Sequence, residues 1–343
     1  GRRLNGDGSL FIVPSLRFLH WPSYVCGWRI YCRIKFLFKS KIAVIGAGLM
    51  GHGIAYIFAA AGNRVSIYDP DKLALSSVVG RISEIFELLG QPPEELDNIY
   101  IFENMENAIE QAEVVIEVIP EQLELKKALF EQLILNTPQE TILATNTSGI
   151  PIEQIAKDTK EPQRILGTHF WNPPHLVPLV EVIQSHFTDP KIIERMLVLL
   201  TSVGKTAVHV KKDIPGFIGN RLQHALKREA ISLVENGICD AETVDLVVKE
   251  GFGMRLSVMG PLENSDLVGL DLTLNIHKFL LSDLDTSTEP QKLLQAKVLA
   301  GELGMSAGKG FLNWTPGKAD EVRTGMQRHL VKAAKERRDK QNY

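Results

Sequence analysis

The chain has 343 residues, 44% of them hydrophobic and 23% charged, with a net charge of -3. That length accommodates two domains with a sizeable core, and the slightly acidic balance excludes an electrostatic footprint for nucleic acid. No apolar run is long enough to span a bilayer, and Cys26, Cys32 and Cys239 make neither a disulfide framework nor a zinc-ligand spacing, so a reducing, cytoplasm-like compartment is the default.

The first 40 residues stand apart. Arg2, Arg3, Arg17, Arg29, Arg33, Lys35 and Lys39 face a single acid, Asp7, and eight aromatic residues fall in the same stretch. Basic, acid-poor character suits a targeting segment. Ser and Ala are sparse, however, and no clean apolar centre stands out, so the stretch is read as a non-native or poorly ordered extension outside the chemistry.

Ile42-Ala-Val-Ile45 is a short β-branched run, expected as a buried strand. Gly46-Ala-Gly48-Leu49-Met50-Gly51 follows, and then Ile54, Ala55, Ile57, Phe58, Ala59 and Ala60 at helical spacing. In such a turn the first glycine permits the bend, the second lets backbone approach a pyrophosphate, and the third lets the helix lie close on the strand. The helix N-terminus supplies free N–H groups and a positive dipole end. A second strand, Arg64-Val-Ser-Ile-Tyr68, ends in Asp69, where a carboxylate binds the adenosine ribose hydroxyls and repels a 2′-phosphate. The expected cofactor is therefore NAD rather than NADP.

Strand-like runs continue at Ile99–Phe102, Val114–Ile119, Thr141–Thr145, Arg164–Thr168, Leu179–Ile183 and Thr206–Val210. Helical stretches lie around Lys72–Leu89, Leu123–Leu135 and Lys191–Val203. The alternation predicts an α/β fold, a Rossmann-type, doubly wound and largely parallel sheet with helices on both faces.

Hydride transfer from an alcohol needs a base that titrates near neutrality, which favours histidine. His169 ends a predicted strand, where open α/β sheets bind ligands. Twelve residues on, Glu181 interrupts the apolar Leu179-Val-Glu-Val-Ile183. A carboxylate in such a strand needs a partner, and a hairpin-like return after Pro173-Pro174 is able to supply His169. On this ground alone a structural and a catalytic His169 stand about even.

From about Lys41 to Trp314 the chain resembles the 3-hydroxyacyl-CoA dehydrogenase family. The resemblance rests on Ile45 to Gly51, Val118-Ile-Pro-Glu121, Asn146-Thr-Ser148, His169-Phe-Trp-Asn172-Pro173, Leu179 to Ile183, Pro215-Gly-Phe-Ile-Gly-Asn220-Arg221 and Gly260-Pro261 through Asp266 to Gly269-Leu-Asp271. It implies that His169 is the general base and Glu181 its orienting carboxylate, with Ser148 and Asn220 as polar contacts to the substrate's oxygens. Gly46, Gly48, Leu49, Met50, Gly51, Asp69 and Asn146 are then the expected cofactor contacts, and Glu121 and Lys126 resemble the pair beside the nicotinamide end. Read without the resemblance, Asn146-Thr-Ser148 is an ordinary strand-ending turn and Asn220 a structural residue one turn into a helix opened by Pro215. His52 reads as a packing or cofactor-adjacent residue, and His175 as a loop histidine placed either in solvent, the more common case, or against substrate.

The helix from Pro215 is expected to end near Gly237, with Asp240 starting another. The organisation expected is an extension over 1–40, a nucleotide-binding domain over 41–213, a smaller all-α domain over 214–320, and a charged, solvated helical tail over 321–343. The resemblance implies a homodimer formed through the helical domain, and no membrane partner is expected. The function expected is NAD-dependent oxidation of the 3-hydroxyl of a β-hydroxyacyl substrate, foremost a short 3-hydroxyacyl-CoA. The alternative is the same chemistry on a small carnitine-like, gulonate-like or pyridine-carboxylate compound. It draws on Asn172-Pro-Pro-His175 and on the acidic stretch 71–98, whose only bases are Lys72 and Arg81, a poor surface for CoA. Ser306-Ala-Gly-Lys-Gly-Phe-Leu312 also departs from a family motif that begins with Lys and ends in Tyr. A non-catalytic NAD-binding protein is the remaining rival.

Overall fold

The computed structural model describes residues 39–341, so the N-terminal stretch and its reading as an extension lie outside it. Eight strands form one sheet in the order β3-β2-β1-β4-β5-β6-β7-β8. In chain order, β1 (Lys41–Ile45), α1 (Gly51–Ala59), β2 (Arg64–Tyr68), α2 (Lys72–Leu89) and β3 (Ile99–Phe102) build one edge. Next come α3 (Met105–Ile109), β4 (Val114–Glu117), α4 (Leu123–Asn136), β5 (Ile142–Thr145), α5 (Ile152–Ala156) and β6 (Ile165–Phe170). The strands from β3 to β6 are parallel, β7 (Leu179–Ile183) runs antiparallel to β6, and β8 (Thr206–Val210), reached through α6 (Pro190–Ser202), is parallel to β7.

This is a Rossmann-type sheet, and the apolar alternation explains its two layers. Ile42 and Val44 face one core with α1, α2 and α6, whereas Ala43 and Ile45 face a second with α3, α4 and α5. Burial on both faces is why the central strands read as continuous apolar runs. Local signals set the helix ends: Asp71 caps α2 by accepting from Leu73 and Ala74 N–H, and Gly90 closes it at φ +62°.

The chain then becomes helical: α7 (Gly219–Glu235), α8 (Ala241–Glu250), α9 (Pro261–Val268), α10 (Leu270–Leu280), α11 (Lys292–Leu299) and α12 (Pro316–Gln341). Asp240 caps α8, as its sequence position suggests. Two expectations are corrected. The helix expected from Pro215 begins four residues later, at Gly219, because Gly216 and Phe217 take positive φ values of 75° and 50° and block an α turn. The charged C-terminal segment is not merely solvated. Leu330, Val331 and Ala334 of α12 pack against the first core, and Arg338 donates to Leu89 O at 3.0 Å.

Candidate active site

The turn after β1 has the shape that a dinucleotide needs. A Cβ on Gly46 would lie 2.7 Å from Val118 O, and one on Gly51 would lie 1.8 Å from Gly46 O, so both positions exclude a side chain. Gly48 faces open space, and a side chain there would fill the cradle above the helix N-terminus. Ala47 is held at both ends: its N–H donates to Asp69 Oδ2 at 2.7 Å and its carbonyl accepts from Arg81 at 2.6 Å. Arg81 also donates to Ala74 O at 2.9 Å and Gly48 O at 3.3 Å. His52 Nδ1 lies 2.9 Å from Gly48 O, placing it against the turn. Leu49 is exposed, and Met50 packs against the first core. Loop, helix start and strand-end acid together fit the adenosine diphosphate portion of NAD.

At the ends of β4 and β5 a polar network gathers. One oxygen of Glu121 accepts from the Thr147 hydroxyl at 2.6 Å, from Ser148 and Gly149 N–H at 3.0 and 3.2 Å, and from the Ser148 hydroxyl at 3.4 Å. Its other oxygen lies 3.4 Å from Lys126 Nζ. Burial alone would raise the Glu121 carboxyl, but those hydrogen bonds and the Lys126 charge hold it below the ordinary value. Lys126 itself is buried and pairs at 2.6 Å with Glu117, a residue sequence reasoning missed. Glu117 is wholly buried and also accepts from Thr145 and Ile119. Its signal resembles the one that singled out Glu181, an acid in an otherwise apolar strand. Asn146 ties β5 to β6 by accepting from Phe170 N–H at 2.9 Å.

The β6–β7 register puts Glu181 directly opposite His169. His169 Nδ1 is 2.7 Å from Glu181 Oε2, and both residues are buried. Glu181 Oε1 accepts from Ile218 and Gly219 N–H at 2.9 and 3.0 Å, at the first turn of α7. Burial opposes ionisation of Glu181, yet the hydrogen bonds from His169 and the two N–H groups hold its carboxyl below the ordinary value. Trp171 and Phe217 flank the imidazole, with ring centroids 5.3 and 5.6 Å away. Gly219 has no room for a Cβ, which would sit 2.3 Å from the Trp171 ring.

The late start of α7 places Asn220 in its first turn, where the amide donates to Ser148 O at 2.8 Å. Ser148, Glu121, Asn220, Glu181 and His169 are thus linked around the ends of β4 to β7. His175 departs from the solvated reading. It is half-buried against Tyr56, with Nδ1 facing the Gly53 position, and burial pushes its pKa down to about 4.

Residues 41–214 match the family model described as 3-hydroxyacyl-CoA dehydrogenase, NAD binding domain, and residues 216–314 match 3-hydroxyacyl-CoA dehydrogenase, C-terminal domain. The chain belongs to the 3-hydroxyacyl-CoA dehydrogenase family. As a member, it is an NAD-dependent dehydrogenase acting on a CH–OH group. It is 34% identical over 296 residues to a 5-formyl-3-hydroxy-2-methylpyridine 4-carboxylate 5-dehydrogenase of Mesorhizobium japonicum, covering 85% of this chain and 96% of that protein. A probable 3-hydroxybutyryl-CoA dehydrogenase of Bacillus subtilis is 38% identical, over 80% of this chain and 97% of that protein. Among solved structures, the pyridine-carboxylate dehydrogenase superposes with a TM-score of 0.81 at 32% identity, over 88% of this chain and 99% of its own. A 3-hydroxyacyl-CoA dehydrogenase of Archaeoglobus fulgidus gives 0.63 at 34% identity, over 85% and 98%.

Proposed function

We propose that this family member oxidises a substrate hydroxyl with His169 as general base and Glu181 as its orienting partner. The observation that carries the reading is the buried His169–Glu181 pair at 2.7 Å, whose carboxylate is saturated on its far side by Ile218 and Gly219 N–H. With Nδ1–H donated to Glu181, Nε2 is the nitrogen left to take the hydroxyl proton. NAD, when bound, accepts the hydride. Ser148 and Asn220 hold the substrate's oxygens, the glycine turn and Asp69 hold the adenosine diphosphate end of the cofactor, and Glu121 with Lys126 borders its nicotinamide end. Replacing His169 by Gln tests the assignment through turnover with NAD binding measured alongside.

Substrate class follows from charge. Of the two bases available along α2, Arg81 is spent on loop carbonyls, which leaves Lys72 beside a row of acids. A multiply charged CoA finds little complement there, so we favour a small β-hydroxy carboxylate or pyridine-carboxylate type of compound. Likeness to the pyridine-carboxylate dehydrogenase supports this choice. A short 3-hydroxyacyl-CoA is the second reading, favoured by the 38% identical relative. A panel of 3-hydroxybutyryl-CoA, carnitine, gulonate and hydroxymethylpyridine carboxylates decides between them by NADH formation.

We also propose a homodimer through the helical domain. Helices α7 to α11 contain no buried residue within the chain, and Leu222, Leu246, Leu272 and Phe279 are all largely exposed. Apolar surface on that scale marks an association face. Sedimentation giving a monomer at micromolar concentration would refute it. No described helix is long and apolar enough to cross a membrane.

A further inference from the structure

The loop 171–178 joins the strand of His169 to the strand of Glu181, and it is gripped from two sides. On one side Pro174 packs on α1 at Gly53, where even a Cβ would come within 2.7 Å of the proline ring and 3.1 Å of His175 Nδ1. On the other side stands Lys205, between α6 and β8. Its side chain donates to Pro174 O and, at 3.0 Å, to Val177 O. Lys205 is only 9% exposed, and among the described residues it has no acidic partner. The titratable groups that act on it or on its loop are themselves basic: Arg337 of α12, His175 of the loop and His52 of α1.

A buried amine without a carboxylate is a poor way to stabilise a fold, since an ammonium in such a place loses hydration that carbonyls only partly replace. Burial accordingly pushes its pKa down to about 7, with Arg337 adding to the effect. Two N–H bonds remain on the neutral amine, one for each carbonyl, so the grip does not depend on charge. What the contact does accomplish is geometric. It fixes the height of the hairpin over α1, the helix that follows the cofactor turn, and His169 is carried on that hairpin.

We propose that Lys205 is a positioning residue for hydride transfer: by tying Pro174 O and Val177 O it presses the 171–178 loop onto Gly53 and so sets the distance between His169 and the cofactor. The inference rests on His169 being the base. Misplacement of about 1 Å in an active site lowers rates by as much as about 10²-fold.

The test uses the full chain and four variants, Lys205→Met, Gly53→Ala, the two combined, and His169→Gln, each followed by thermal unfolding, NAD affinity and steady-state turnover. At pH 7 Lys205→Met should remain folded and bind NAD within about twofold of wild type, while kcat drops by about tenfold or more. Gly53→Ala approaches the same loop from the opposite side and suits a helix, so it remains folded if Lys205→Met does not. Its methyl displaces Pro174, and kcat should fall similarly without loss of NAD affinity. The double variant should fall by less than the product of the two losses, because both act on one loop. Full turnover in a folded Lys205→Met or in Gly53→Ala overturns the inference, as does strictly multiplicative loss in the double variant. An active His169→Gln overturns instead the assignment of the base, and an inactive one with fully active loop variants removes Lys205 alone.

Discussion

Glu181 joins His169 to the first turn of α7, one oxygen meeting the imidazole at 2.7 Å and the other meeting Ile218 and Gly219 N–H at 2.9 and 3.0 Å. A single carboxylate thereby ties the proposed base on the sheet to the start of the helical domain.

Glu181→Gln should therefore slow turnover while NAD affinity stays nearly unchanged, since the carboxylate orients the ring and stabilises the imidazolium formed as the alcohol loses its proton. Unchanged turnover in a folded Glu181→Gln would show that the pair takes no part in the reaction. The stabilising effect of Glu181 has a definite sign. The folded carboxyl lies below its ordinary value of 4.5, so its contribution is complete above that value and is lost as pH falls through the lower, folded one. Acid unfolding curves of wild type and Glu181→Gln should converge at low pH.

His169→Gln should bind NAD with nearly unchanged affinity and lose about 10²–10⁴ in kcat, the usual contribution of a positioned base. Stopped-flow measurement of NADH formation, with cofactor titration in parallel, checks both halves.

Asp69→Ser should weaken NAD and relax the exclusion of NADP. Asp69 accepts from Ala47 and Asp71 N–H, so the variant also loosens the turn. Titration of both cofactors reads the result, and unchanged selectivity would transfer ribose recognition to another residue.

Gly219→Ala should lower stability by about 1–3 kcal/mol, the usual effect of overpacking, because its methyl has no space beside the Trp171 ring. It should lower kcat as well, since Trp171 packs on His169 and Gly219 N–H serves Glu181. Denaturant unfolding and turnover on the same preparation measure both.

Lys205 predicts a pH-dependent difference. Its pKa falls from 10.5 to about 7 on folding, so wild-type stability from this group is lowest at and below pH 7 and grows as pH rises toward 10.5. Lys205→Met lacks that dependence, and its stability relative to wild type should be greatest in acid and decline steadily with alkalinity. A constant difference from pH 6 to 10 would show that Lys205 keeps an ordinary pKa in the fold.

Local patterns along the chain are enough to place the elements of the sheet layer. Glycine spacing, β-branched runs and the cap at Asp71 are local signals, and the bounds of α2 and of β2, β3, β7 and β8 follow them residue for residue. Glu117 and Glu181, two acids in apolar strands, carry the same local signal, and both are buried and paired. Tertiary structure decided the rest. Phe217 takes φ +50° because its side chain is wholly buried beside His169, and this delays α7 and puts Asn220 in the first turn. Loop composition alone made His175 a solvated residue, while the close approach of Gly53 turns it inward. Arg81 reads as surface charge along the chain, yet it reaches carbonyls 33 and 34 residues away. Each of these outcomes depends on contacts between distant segments, whose geometry no local pattern encodes.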